Sequence, residues 1–260
     1  MSKPSPITLT VSQTSTITPN MQRITLSGEG LSQYPTECAG GYIKLLFSPL
    51  GSTDLSQLND GDRPTMRTYT VRQYHPDENS IEVDFVRHIT TDLQCGFAAR
   101  WAMNAQVGDT ISVVGPGLIQ GLNLESDWFF LVADMTSLPA LSAKLKTLPE
   151  SATGYAVVQI SSEQDKQTLE APQGIKVTWL IADEASDTLS RTVRNTEWLE
   201  GQVSVWTACE FESMRELRQY FRNEKDVAKE NIYISSYWKR GVTEDGHKVL
   251  KQQDTQALAS

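Results

Sequence analysis

Cysteine is scarce. The 260-residue chain has three, Cys38, Cys95 and Cys209, far apart and odd in number. No Cys-x-x-Cys pair occurs, which argues against a zinc site or an iron–sulfur cluster. Histidine is as rare, and His75, His88 and His247 have no metal-ligand spacing, so no metal site is expected. Positive charge is also short. There are 23 Lys and Arg against 32 Asp and Glu, a formal net charge of −9. Nucleic-acid binding usually needs a strongly basic face, so that class is set aside. No apolar run approaches the roughly 18 residues of a membrane helix, and the MSKPSPITLT start has no signal-type apolar segment. The scattered thiols fit a reducing compartment. A soluble cytoplasmic protein without membrane insertion is expected. Common signatures are missing too: no Gly-x-Gly-x-x-Gly after a strand, no Walker loop, no Gly-x-Ser-x-Gly elbow. Carboxylates are plentiful, but no pair stands out as a hydrolytic dyad.

What remains has two textures. Hydrophobic residues make up 39%, enough for globular cores, and the length suits two ordinary domains. Residues 7–27 read as two strands broken at Thr18-Pro19-Asn20, and residues 41–48 as a third. A polar loop with Gly51 and Asn59-Asp60-Gly61 follows. Residues 63–117 supply three more strands and one helix. Six short strands with little helix predict a small closed antiparallel barrel over residues 1–120. Gly115-Pro116-Gly117 punctuates the chain, and WFFLVAD then begins a different pattern. Continuous apolar strands alternate with helical segments near 137–148, 188–199 and 212–224. This predicts a doubly wound, mainly parallel α/β lobe over residues 121–260, ending in a basic segment. Ligands of such sheets sit at the carboxyl ends of strands, where Asp134-Met135-Thr136, Cys209-Glu210 and Tyr237-Trp238-Lys239 fall.

The most informative stretch is residues 63–117. Arg67 and Tyr69 are two apart on a strand and share a face, whereas Thr70 faces the other way. Arg offers a fixed fork of donors for phosphate, and Tyr a flat ring for a flat partner. The turn at Asp77-Glu78-Asn79-Ser80 joins this strand to Ile81-Glu82-Val83-Asp84-Phe85 as a hairpin. Gly96 is expected to open a helix over residues 97–105, whose small first turn, Phe97-Ala98-Ala99, suits an anion at its N-terminus. Arg-x-Tyr-Thr alone is weak, since an ordinary exposed strand has the same composition.

The order of the parts is more specific. Arg67-Thr68-Tyr69-Thr70-Val71-Arg72, Val83-Asp84-Phe85-Val86-Arg87-His88 and Gly96-Phe97-Ala98-Ala99-Arg100-Trp101-Ala102 come first. Gly108-Asp109, Ala133-Asp134-Met135-Thr136-Ser137-Leu138-Pro139-Ala140, Trp206-Thr207-Ala208-Cys209-Glu210 and Tyr237-Trp238-Lys239-Arg240-Gly241 follow. Together they resemble the ferredoxin–NADP reductase superfamily and, more narrowly, its siderophore-interacting protein family of ferric-siderophore reductases. The resemblance implies FAD held by Arg67, Thr68, Tyr69, Thr70, Asp84, Val86, His88, Gly96, Phe97, Ala98, Ala99, Thr136 and Trp238. It implies that Lys44, Lys239 and Arg240 meet an anionic ferric siderophore, and that the flavin itself carries the chemistry. NADH, NADPH or reduced ferredoxin would be the electron donor, and a monomer is expected.

Blander readings stand beside these. His88 can be a structural histidine, Trp101 packing, Tyr237 and Trp238 core aromatics, and the lysines a solvated face. Cys209 reads as a small buried side chain, and Ser236 stands where the family commonly has Gly. Two other functions stay open: a flavin reductase or diaphorase serving a protein partner, and a non-enzymatic flavin- or siderophore-binding module.

Overall fold

A computed structural model describes residues 5–56, 58–59, 61–87, 93–119, 121–182 and 188–259. The chain forms two compact units, Met1–Ile119 and Gln120–Ser260.

The first unit is one antiparallel sheet of seven strands. They are β1 (Ile7–Thr18), β2 (Met21–Ser27), β3 (Tyr42–Phe47), β4 (Thr65–Thr70), β5 (Gln73–His75), β6 (Ser80–Val86) and β7 (Thr110–Gly117). Their order is β4-β3-β7-β1-β2-β6-β5. β4 and β5 lie at opposite edges, yet only Val71 and Arg72 separate them in sequence. The sheet must therefore curl until its edges meet, which makes it a barrel. The linking residues fasten both edges: the Val71 N–H donates to Gly41 O at 2.9 Å, and the Arg72 N–H to Glu82 O at 2.8 Å.

Two expectations change here. The barrel has seven strands instead of six, because the run from Arg67 to His75 splits where it crosses from edge to edge. For the same reason β4 is not the hairpin partner of β6. That partner is β5, through Gln73↔Glu82 and His75↔Ser80, while β4 pairs with β3.

Alternation fills the barrel. Leu9, Val11, Ile24, Leu26, Ile43, Leu45, Phe47, Ile81, Val83, Phe85, Ile111 and Val113 are all fully buried. Helix α1 (Leu93–Asn104) closes one side with Phe97, Ala98 and Ala102. Trp101 is half-buried, edge-on to Phe47 and Phe85 at 6.4 and 5.8 Å between centroids, and so is packing. The helix begins at Leu93, so Gly96 lies within its first turns and does not open it.

The second unit is a five-stranded parallel sheet, ordered β10-β9-β8-β11-β12. Its strands are β8 (Trp128–Asp134), β9 (Thr153–Ile160), β10 (Gly174–Ile181), β11 (Val203–Glu210) and β12 (Ile232–Trp238). Helices α2 (Leu138–Lys146), α3 (Thr188–Asn195) and α4 (Phe211–Arg218) connect them, and α4 continues as a π turn to Glu224. β8 is buried along its whole length, as expected for a central parallel strand. Gly154 is required where β9 meets β8: at φ 133° an added Cβ would sit 2.0 Å from Phe129 O. The strand order reverses between β8 and β11, making their carboxyl ends the topological switch point.

The C-terminal basic segment is a helix, α5 (Glu244–Ala259). It packs on β12 and α4. Arg218 donates both terminal nitrogens to Asp254 at 2.6 and 2.8 Å, and buried His247 meets Ser236 Oγ at 2.8 Å. Mixed charges and few apolar residues hid this helix in the sequence.

Candidate functional site

In the barrel unit, register decides which side chains share a face. Arg67 is opposite Leu45 and Tyr69 opposite Ile43, and both partners are fully buried. Directly opposed residues of an antiparallel pair lie on one face. Arg67 and Tyr69 therefore point together toward α1. Arg67 is 5% exposed, its guanidinium carbon stands 5.8 Å from the Phe97 ring centroid, and one terminal nitrogen donates to Met66 O at 2.8 Å. The half-buried Tyr69 ring packs on Phe85 at 4.3 Å. Thr68 is exposed on the opposite face, directly across from Lys44, and Thr70 is across from Tyr42. The Arg-Thr-Tyr-Thr motif is thus divided between two faces of one strand. Lys44 is half-buried and has no ion pair among the described residues.

Gly96, Ala98 and Ala99 are small and buried in the first turns of α1. Asp84 is buried within a cluster of arginines. Its carboxylate accepts Arg23 at 2.6 and 2.9 Å and lies 3.5 Å from Arg72 Nε. Its side chain is committed to the outside of β2 and β6. Val86 ends β6, half-buried and paired with Met21. His88 lies outside the described residues.

A buried guanidinium beside a phenol ring and a closely packed helix start suits a diphosphate joined to a flat ring. The donor set fits FAD.

In the α/β unit the carboxyl ends of β8 and β12 are tied together. Asp134 Oδ1 accepts Thr136 N at 2.9 Å, Thr136 Oγ1 at 2.6 Å and Ser137 N at 3.3 Å. Its other oxygen accepts the Trp238 indole N–H at 2.7 Å. Burial pushes the Asp134 carboxyl above the usual carboxylate range, against the pull of these hydrogen bonds. Thr136 is therefore locked in the β8–α2 turn. Trp238 is half-buried, anchored by its nitrogen end. Sequence reading marked Asp134 as a strand end but not as the partner of Trp238. Only the fold brings two residues 104 apart into contact.

Glu210, at the end of β11, caps α4 through Glu212 N at 2.6 Å and also accepts the Arg240 N–H at 3.2 Å. That pins the backbone at Arg240, whose side chain is exposed. Lys239 is paired with Glu212, and its ammonium lies 4.8 Å over the Phe211 ring. Of the three predicted substrate cations, Lys44 and Arg240 have no ion partner among the described residues, and Lys239 has one. Cys209 is fully buried, and burial pushes its thiol well above its ordinary value, with the charges of Asp134 and Glu210 adding. A thiol held in that form is a packing group, not a nucleophile. No group of His, Cys, Asp or Glu among the described residues could hold a metal ion. Nor is any described helix long and apolar enough to cross a membrane.

Comparison with known proteins is consistent along the chain. Residues 10–119 match the family model of the siderophore-interacting FAD-binding domain, and residues 126–241 that of the siderophore-interacting protein. The ferric vibriobactin reductase ViuB of Vibrio cholerae is 32% identical over 244 residues, covering 89% of this chain and 88% of that protein. The NADPH-dependent ferric-chelate reductase of Escherichia coli is 26% identical, covering 88% and 91%. Among solved structures, the siderophore-interacting protein SipS of Aeromonas hydrophila superposes with a TM-score of 0.82 at 26% identity, covering 95% of this chain and 99% of that one.

Proposed function

The chain belongs to the siderophore-interacting protein family, and from that premise we propose that it is an FAD-dependent ferric-siderophore reductase that releases iron as Fe(II). The observation that carries the reading is the FAD-binding match followed in order by the siderophore-interacting match, over nearly the whole chain. The chemistry agrees. Fe(III) is hard and is held tightly by catecholate or hydroxamate oxygens, whereas Fe(II) binds them weakly, so one electron frees the metal. Bound FAD supplies the means to take two electrons from a donor and give them up singly.

The protein's own residues have narrower tasks. In this reading buried Arg67 neutralises the cofactor diphosphate from a fixed position, and the close-packed start of α1 lets backbone donors approach it. Tyr69 offers its ring and hydroxyl beside it. Thr136 and Trp238, at the carboxyl edge of the α/β sheet, complete the flavin environment. A reduced pyridine nucleotide is the donor we favour, supported by the switch point between β8 and β11 and by the NADPH dependence in the name of the E. coli relative. Lys44 and Arg240 recruit the anionic iron complex against a net charge of −9, with Lys239 contributing less while Glu212 holds it. The reaction belongs in the cytoplasm, with the protein acting as a monomer; the free thiols Cys38 and Cys209 suit a reducing compartment.

The test is spectroscopic. Purified protein should carry a flavin spectrum that bleaches anaerobically with NADPH, NADH or reduced ferredoxin. Adding a ferric tris-catecholate or trihydroxamate should restore it while a ferrous chelator develops colour. A flavin that reduces but is reoxidised only by artificial acceptors would instead mean a diaphorase. One that no donor reduces would mean a binding module.

A further inference from the structure

Asp134 has more acceptor capacity than its turn requires. An Asp followed by Thr and Ser at a strand-to-helix turn commonly uses one side-chain oxygen to accept backbone N–H groups, and Oδ1 does so here, with Thr136 and Ser137. An asparagine would serve that purpose without burying a charge. Asp134 is nonetheless an ionisable side chain, 6% exposed, and no cation pairs with it among the described residues. A buried carboxylate is costly unless every acceptor site is used. The second oxygen has one donor among the described residues, the Trp238 indole N–H at 2.7 Å.

The topology shows what this bond does. β8 and β12 are not neighbours; β11 lies between them. Strands pair at about 4.8 Å, so the two backbones are roughly 10 Å apart. A long side chain must bridge that gap, and the indole does so across the carboxyl end of β11. Trp238 is thereby held by its nitrogen end at the carboxyl edge of the sheet, beside the switch point where ligands of such sheets bind. Ser137 Oγ also donates to Ala208 O on β11, so the platform under the ring is tied to both central strands.

We infer that Asp134 is a positioning residue, whose second oxygen fixes the plane of the Trp238 ring presented to the flavin. This rests on the reading above that Trp238 meets the flavin; the orientation itself does not. The Asp134 side chain clamps the nitrogen end of the indole. Asp134→Asn cannot do both jobs. Its single oxygen can serve the turn or the indole, and the amide nitrogen would face a donor.

The experiment combines two readouts on flavin-loaded protein. The first is the Trp238 indole N–H resonance in a 15N–1H spectrum, assigned by its loss in Trp238→Phe. It should move upfield in Asp134→Asn as the short bond to the second Asp134 oxygen is lost. The second is the rate at which photoreduced protein releases iron from a ferric tris-catecholate. It should fall roughly tenfold in Asp134→Asn and in Trp238→Phe, a size typical of misoriented reacting groups, with flavin content retained. The double variant should be no slower than either single one, because both remove the same constraint. An unmoved indole resonance in Asp134→Asn overturns the inference directly. A moved resonance with additive losses overturns it as well, showing that Asp134 acts by another route. If Trp238→Phe reduces iron at the wild-type rate, the flavin-contact reading has failed and the positioning role falls with it. Trp238→Phe keeps the Asp134 turn intact, so this last arm stands even if Asp134→Asn fails to fold.

Discussion

The guanidinium of Arg67 lies over the ring of Phe97, 5.8 Å from its centroid, joining strand β4 to the first turns of α1. A sequence motif and the helix expected to hold an anion thus meet through one cation.

Arg67→Ala should fold but purify with much less FAD. Charge-assisted hydrogen bonds contribute about 1.5–3 kcal/mol, so affinity should fall roughly ten- to hundredfold. Arg67→Lys should regain only part of it, since an ammonium keeps the charge but loses the fork. The check is FAD titration of apoprotein by flavin fluorescence; unchanged affinity in Arg67→Ala would remove Arg67 from the cofactor site.

Asp84 should matter for stability. Its side chain is 2% exposed and accepts two hydrogen bonds from Arg23. Asp84→Ala leaves Arg23 and Arg72 without their shared carboxylate, at a cost of roughly 3 kcal/mol. Urea unfolding measures this. A variant of normal stability that has lost FAD would restore the cofactor role implied by the resemblance.

Substrate recruitment should respond to charge. Lys44→Ala and Arg240→Ala should each raise the apparent KM for an anionic ferric siderophore several-fold and flatten its dependence on salt, without altering flavin content. Glu212→Gln should do the reverse, because it frees Lys239 from its ion pair. Steady-state iron release at several ionic strengths decides it. If Lys44→Ala and Arg240→Ala both match wild type, neither cation recruits substrate, and the diaphorase reading gains.

His247 gives the α5 anchor a pH dependence. Burial pushes its imidazole down to about 4; Lys251 and Lys239 add to the shift, and Glu244 and Glu210 oppose it. Unfolded, the same group titrates near 6.5. Between those values the unfolded chain binds a proton that the folded one refuses. The stabilisation is therefore complete above about pH 6.5 and is lost as pH falls toward 4. His247→Gln should flatten the urea midpoint across that window. An unchanged slope would assign the acid sensitivity to other groups.

Some of this was legible from local pattern. Local pattern and composition marked β1, β2, β3, β6 and β7, and apolar runs marked β8, β9, β10, β11 and β12. Both signals arise within a few residues and need no knowledge of partners. The Arg67–Tyr69 pairing on one face follows from the two-residue repeat of any strand. Hidden were the split of residues 67–75 into strands at opposite edges and the helical nature of α5. In both cases long-range packing overrode a weak local signal.

The sequence by itself determined the two fold types, the family resemblance and the side chains available for chemistry, because composition, periodicity and motif order are properties of the chain alone. Only the tertiary structure decided how those side chains are used. Pairing of β3 with β4 set Lys44 across from Thr68, on the face opposite Arg67, and pairing across 61 residues gave Asp84 to Arg23. Strand order brought Trp238 to Asp134 over β11. Each depends on which strands are neighbours, and that is set when distant apolar faces are buried together, a global condition that no local window of sequence contains.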